Sequence, residues 1–256
     1  MSKKSTCIIT LPRTGSELLM YHLSAAYKLE NGGEFLCQNG FNPKQLIKKE
    51  SGNTFRDSFD LAPLDISGLT TAEFREFVKK DFNERLDLIR NYKNGVVVKT
   101  FTYSQYYKYF PSSIDRILEE FNVVILTRRN SYKSLLSSFI CEQLGVWHVL
   151  DADELKRIED RFLTLRFSIS EDVFIKLVQD TNILNTLHRN ISRIDSSVRT
   201  LYFDDFADNL TDNLNLLLGT NVKSHEVPKL NKFISDHEAP IINIDKIRSL
   251  YKLYTI

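Results

Sequence analysis

Two loops in this sequence carry the residue types that bind anions. The first reads Leu11-Pro12-Arg13-Thr14-Gly15-Ser16-Glu17-Leu18-Leu19 and leads from an apolar run into a helical pattern. Gly15 accepts backbone conformations closed to other residues and lets a ligand approach the main chain. The amides that follow it open a helix, whose free N–H groups and dipole favour negative charge. Thr14 and Ser16 add hydroxyl donors, and Arg13 adds a permanent charge able to grip two oxygens at once. Taken alone, the segment also fits an ordinary turn capped by Ser16, with Arg13 in water. It contains no GxxxxGK[ST], so magnesium-dependent nucleotide hydrolysis lacks its main signature.

The second loop is Arg128-Arg129-Asn130-Ser131, followed by a helical stretch that carries Ser137. Two arginines after an apolar strand call for anionic partners, and a phosphate would serve. Ser137 falls about two turns into the helix, where its hydroxyl can face the same pocket. The alternative is a solvated arginine pair and a packing serine.

The elements that hold these loops follow from periodicity. Thr6–Leu11, Gly95–Lys99, Asn122–Thr127 and Val198–Phe203 read as short buried strands. Helical spacing marks Glu17–Leu29, Thr71–Tyr92, Ser131–Leu144, Asn209–Leu218 and Ile244–Tyr254, with two helices within Asp153–Arg193. Strands alternating with helices predict an α/β fold, a three-layer domain whose central, mostly parallel sheet is flanked by helices. In such sheets ligands bind at the carboxyl ends of the strands, which is where both loops lie.

Composition narrows the classes. The 256 residues, 42% hydrophobic and 26% charged, suit one domain over 1–256, with insertions near 35–92 and 147–192. A net charge of +1 gives no basic field for nucleic acid or membrane. Cys7, Cys37 and Cys141 are odd in number and widely spaced, which points to a reduced, cytoplasmic setting rather than a disulfide framework. The apolar run Cys7–Leu11 is too short for a signal core or a membrane span. No His/Cys/Asp cluster has metal-ligand spacing, so no metal is expected.

Together the two loops resemble those of sulfotransferases that use 3′-phosphoadenosine-5′-phosphosulfate (PAPS). LPRTGSELL is similar to that family's 5′-phosphosulfate loop. Arg129-Asn130-Ser131 through Ser137 resembles its 3′-phosphate motif, an Arg-Asn-Pro opening with a serine eight places after the arginine. TLYFDDFADNLTDNLNLLLG, at 200–219, resembles its later YEDL strand and following helix. The resemblance implies a P-loop-NTPase-like sulfotransferase fold with PAPS as donor and 3′-phosphoadenosine 5′-phosphate as product. It implies donor contacts at Arg13, Thr14, Gly15, Ser16, Glu17, Leu18, Arg129, Ser137, Tyr202 and Phe203.

Three positions depart from the family pattern. Glu17 stands where a second hydroxyl is usual, and a carboxylate there repels the donor unless it turns away or pairs with a cation. Ser131 replaces proline, and Phe203 takes the place of the YED tyrosine beside Tyr202. Many cytosolic members carry their base in a Lys-Thr-His segment, which here reads Lys99-Thr100-Phe101. Lys99 is left to contact the sulfonate, or to be a strand-end lysine in water. The glutamate-using branch of the family, which includes mycobacterial trehalose sulfotransferase, places its base soon after the first helix. The matching segment is Asn31-Gly32-Gly33-Glu34-Phe35, so the resemblance makes Glu34 the candidate base, with Arg13 and Lys99 as its catalytic companions. Otherwise Glu34 is a surface loop residue.

His22 reads as a packing or solvated residue, and His148 beside Trp147 as a possible acceptor-pocket residue. The acceptor implied is a hydroxyl compound, a carbohydrate among the candidates; no motif encodes it or the oligomeric state. Two rivals remain: a kinase with a degenerate phosphate loop, and a nucleotide-binding protein that has lost its transfer activity. A nucleic-acid module would use Tyr103, Tyr106, Tyr107, Tyr109 and Lys108 for stacking, but lacks a basic footprint.

Overall fold

The computed structural model describes residues 5–36, 70–101, 107, 109–146, 152–227 and 236–255. Its centre is a five-stranded sheet in the order β2-β3-β1-β4-β5. The strands are β1 (Thr6–Thr10), β2 (Glu30–Gly33), β3 (Val96–Phe101), β4 (Asn122–Thr127) and β5 (Arg199–Tyr202). Every pairing is parallel, and central β1 matches Thr6 with Val97 on one side and with Asn122 on the other. The α/β class read from the sequence is therefore the class observed.

The pleat sorts the strand side chains onto two faces. Cys7, Ile9, Val96, Val98, Val123 and Ile125 pack with Val78, Phe82, Leu86 and Ile89 of α2 (Thr71–Asn91) and Ile114 and Ile117 of α3 (Ser113–Glu120). Ile8, Val97, Val124, Leu126 and Leu201 pack on the other side against Leu19, Met20 and Leu23 of α1 (Ser16–Tyr27) and Leu214 and Leu218 of α7 (Leu210–Leu218). Helices cover both faces, so the strands are apolar runs rather than alternating ones. Helix α2 opens on a capping box, with Thr70 and Glu73 exchanging hydrogen bonds.

The remaining helices build a flank on the second loop. Helix α4 (Tyr132–Leu144) packs Leu135, Leu136 and Phe139 against Phe174 and Val178 of α6 (Glu171–Ile194) and Ile247 of α8 (Ile244–Tyr254). Its far end, Ile140, Cys141 and Leu144, meets Ile158 and Phe162 of α5 (Ala152–Thr164). Helices α5 and α6 are the pair expected within Asp153–Arg193.

Two elements were not expected. Strand β2 is Glu-Asn-Gly-Gly, with no apolar run. It forms at the sheet edge because β3 offers a parallel partner, and its register shifts between Asn31 and Gly33. Helix α3 is eight residues long, and its two buried isoleucines are too few to mark a period without the sheet beneath them.

Candidate functional site

The loop between β1 and α1 lies at the carboxyl edge of the central strand. It holds two left-handed residues, Arg13 at φ 59° and Gly15 at φ 83°. The second suits glycine; the first costs a non-glycine residue on the order of 1 kcal/mol. Gly15 is the residue that caps α1, and no side chain caps this helix, so the Ser16 cap of the ordinary-turn alternative is not formed. Space also restricts Gly15: a Cβ there would fall 2.2 Å from Cε2 of Phe203. The Thr14 hydroxyl turns inward, donating to the Leu11 carbonyl at 2.8 Å and meeting the Thr10 hydroxyl. Thr10 in turn donates to the Leu126 carbonyl at 2.9 Å, which ties the loop to β4. Thr14 thus shapes the loop with its side chain and leaves only its amide for a ligand. Ser16 is buried, while Glu17 and Leu18 are half-buried.

The two loops meet at one bond. Arg13 Nε donates to Ser137 Oγ of α4 at 2.9 Å. The Cys141 thiol lies nearby, and its pKa is pushed up by burial, opposed by the positive charge of Arg13 and a hydrogen bond with Ser137.

Lys99 is a buried residue, its side chain 2% exposed, and not a strand-end lysine in water. Its ammonium is bonded to Glu17 and lies 3.0 Å from Glu34 Oε1. Both carboxylates are partly open, at 25% and 33% exposure. This pairing answers the Glu17 departure: the carboxylate that would oppose an anionic donor is matched by the lysine at the end of β3. Glu34 is held from behind. Arg85 of α2 donates from Nη1 to the Phe35 carbonyl at 3.1 Å and from Nε to buried Asp81 at 2.9 Å. Thr100 donates to the Leu36 carbonyl at 2.9 Å. The Asp81–Arg85 pair was not singled out in the sequence, although its i,i+4 spacing on an apolar helix face is a signal for it.

The second loop divides its arginines. Arg129 faces outward; its guanidinium makes a two-pronged contact with Asp205, both oxygens at 2.9 Å, and its amide donates to Asp204 at 2.8 Å. It also lies 4.2 Å over the Tyr202 ring. Ser137 is therefore brought to Arg13, and Arg129 to Asp205. Arg128 is half-buried, with its guanidinium 4.3 Å over the Phe203 ring and its buried Nε without a hydrogen-bond partner among the described residues. The sequence noted this arginine as one of a pair that a phosphate could partner, and the motif spacing then assigned the donor contact to Arg129 alone.

His22 is buried in the core, with Nε2 3.1 Å from the Thr220 hydroxyl. Tyr107 is partly buried and packs on the main core cluster, as does Tyr109. Cys37, Tyr103, Tyr106, Lys108, Trp147 and His148 lie outside the described residues. Among the described residues no group of His, Cys, Asp and Glu gathers as metal ligands, and no helix is long and apolar enough to cross a membrane.

No protein-family model matches the chain, and neither does any curated protein. Among solved structures it is similar to a sulfotransferase domain from the curacin biosynthetic pathway, at 18% identity, with 100% of this chain and 93% of that chain covered and a TM-score of 0.40.

Proposed function

We propose that the protein is a sulfotransferase that moves a sulfonate group from PAPS to a hydroxyl acceptor, with carbohydrates the first class to try. The observation that carries this reading is the meeting of the two motif loops through Arg13 and Ser137, beside the Lys99 pair, at the carboxyl edge of the sheet. Two anion-binding loops joined by this hydrogen bond suit a ligand with two phosphate groups better than one with a single phosphate chain.

The donor supplies a sulfonate on a good leaving group, a phosphate ester. The uncapped amides from Thr14 to Leu18 and the Arg13 guanidinium bind the 5′ end and stabilise the charge that builds on its bridging oxygen. Glu34 takes the acceptor proton as the new S–O bond forms and the bond to the 5′-phosphate breaks. Lys99 holds Glu34 in place and offers positive charge to the sulfonate in transit. Asp81 and Arg85 fix the turn that carries Glu34.

The test is turnover of sulfur-labelled PAPS over a panel of sugar, phenol and amine acceptors, reading labelled product and released 3′-phosphoadenosine 5′-phosphate. Arg13→Ala is expected to lower turnover by about a hundredfold or more. Turnover by Arg13→Ala at the wild-type rate would sink the assignment.

A further inference from the structure

Resting on the donor reading above, we propose that Arg128, rather than Arg129, joins Arg13 as the second guanidinium of the anion site, and that the group this pair takes is a phosphate dianion. Motif spacing selects Arg129, yet in the structure that residue is already matched. Its side chain is 59% exposed, and Asp205 takes its fork with both oxygens. A phosphate would have to displace a carboxylate that already satisfies the same geometry.

Arg128 is in the opposite condition. Its guanidinium is held by the face of Phe203 at 4.3 Å, a contact that fixes the plane and consumes no N–H donor. Its Nε is buried and has no hydrogen-bond partner among the described residues. Buried donors are rarely left so, and a ligand oxygen is a common reason. Phe203 is itself wedged on the first loop, since its ring fills the space that a side chain at Gly15 would need. Arg128, Phe203 and Gly15 thus form one stack that fixes the guanidinium relative to the anion-binding amides.

The charges point the same way. Burial lowers the pKa of Arg128; Asp204 opposes that shift, and the like charge of Arg13 adds to it. Two half-buried guanidinium groups within electrostatic reach repel until an anion comes between them. Ser137, bonded to Arg13 Nε, keeps that side of the pair oriented.

The experiment is calorimetric titration of the full chain, as wild type, Arg128→Gln, Arg128→Lys and Arg129→Gln. The probes are adenosine 3′,5′-bisphosphate and, separately, inorganic pyrophosphate. Arg128→Gln is expected to weaken bisphosphate binding by about tenfold or more, and by more than Arg129→Gln does. Arg128→Lys keeps the charge and loses the fork, so it should fall between wild type and Arg128→Gln while melting with the wild type. An equal or larger loss in Arg129→Gln, or a wild type that binds neither probe, overturns the proposal. Binding of pyrophosphate alone, weakened about tenfold by Arg128→Gln, would uphold the arginine pair and remove the PAPS reading instead.

Discussion

Replacing Lys99 by methionine would test the charge balance on which the site depends. Methionine fills most of the space of the lysine stem, so little cavity is left and the change is mainly one of charge. The lysine side chain is 2% exposed, and two carboxylates lean on it. Removing one partner of a fully buried pair costs about 3–5 kcal/mol. Here the stranded carboxylates keep 25% and 33% of their exposure and can be hydrated in part. The expected loss is therefore about 2–3 kcal/mol, at or below the lower limit of that range. Glu17→Gln should cost about 1 kcal/mol alone, yet be neutral or stabilising once Lys99 is methionine, which gives a coupling of about 1–2 kcal/mol. Urea unfolding of the four proteins of this cycle, followed by circular dichroism at neutral pH, measures both quantities. A Lys99→Met variant within about 0.5 kcal/mol of wild type, or a Glu17→Gln effect that is the same in both backgrounds, would refute the reasoning.

Two further outcomes follow from buried groups. His188 is 2% exposed with neither ring nitrogen bonded among the described residues, and burial lowers its pKa from 6.5 to about 4. Because the folded value lies below the unfolded one, the unfolded chain binds the proton first. His188 thus adds no pH dependence above pH 6.5, and stability is lost as pH falls from there to about 4, by roughly 3 kcal/mol in total. Burial moves His22 in the same direction, so it adds to the slope. Unfolding curves between pH 4 and 7 should be flatter for His188→Leu than for wild type, and an unchanged slope would exclude His188 as the source. Gly15→Ala meets both the left-handed backbone at φ 83° and the Phe203 ring, and should weaken binding of adenosine 3′,5′-bisphosphate by about tenfold or more. The same collision lowers the stability of Gly15→Ala, and adding Phe203→Ala should lift it part of the way back; full recovery would mean that the backbone strain is negligible.

The fold was legible where burial is two-sided. Strands β1, β3 and β4 are apolar because helices cover both faces, and that leaves a plain mark in Val and Ile. Strand β2 left none, since an edge strand next to a good partner needs no apolar run of its own. The Glu17–Lys99 pair was half legible. Glu17 signalled that it needed a cation, and the pleat places Lys99 on the α1 side with Val97. Its depth of burial depended on the packing of α1 over β3, which no local pattern contains. The two arginines show the reverse. Spacing to Ser137 selected Arg129, but neighbours leaving a strand point to opposite sides, and a shift of one residue changes which one meets Phe203 beside the first loop. Only the position of Phe203 and Asp205 decides that, and both lie in the turn that follows β5, some 75 residues away.

The most direct measurement is the thermal shift of the wild-type protein with 3′-phosphoadenosine 5′-phosphate against ATP plus magnesium. A specific ligand at about a hundred times its Kd stabilises by about 2.7 kcal/mol. For a chain of this size that is a rise of roughly 5–10 °C. A PAPS-dependent sulfotransferase should show that rise with 3′-phosphoadenosine 5′-phosphate and a much smaller one with ATP plus magnesium. Stabilisation by ATP plus magnesium with no response to 3′-phosphoadenosine 5′-phosphate would contradict the donor assignment and favour a phosphoryl-transfer enzyme.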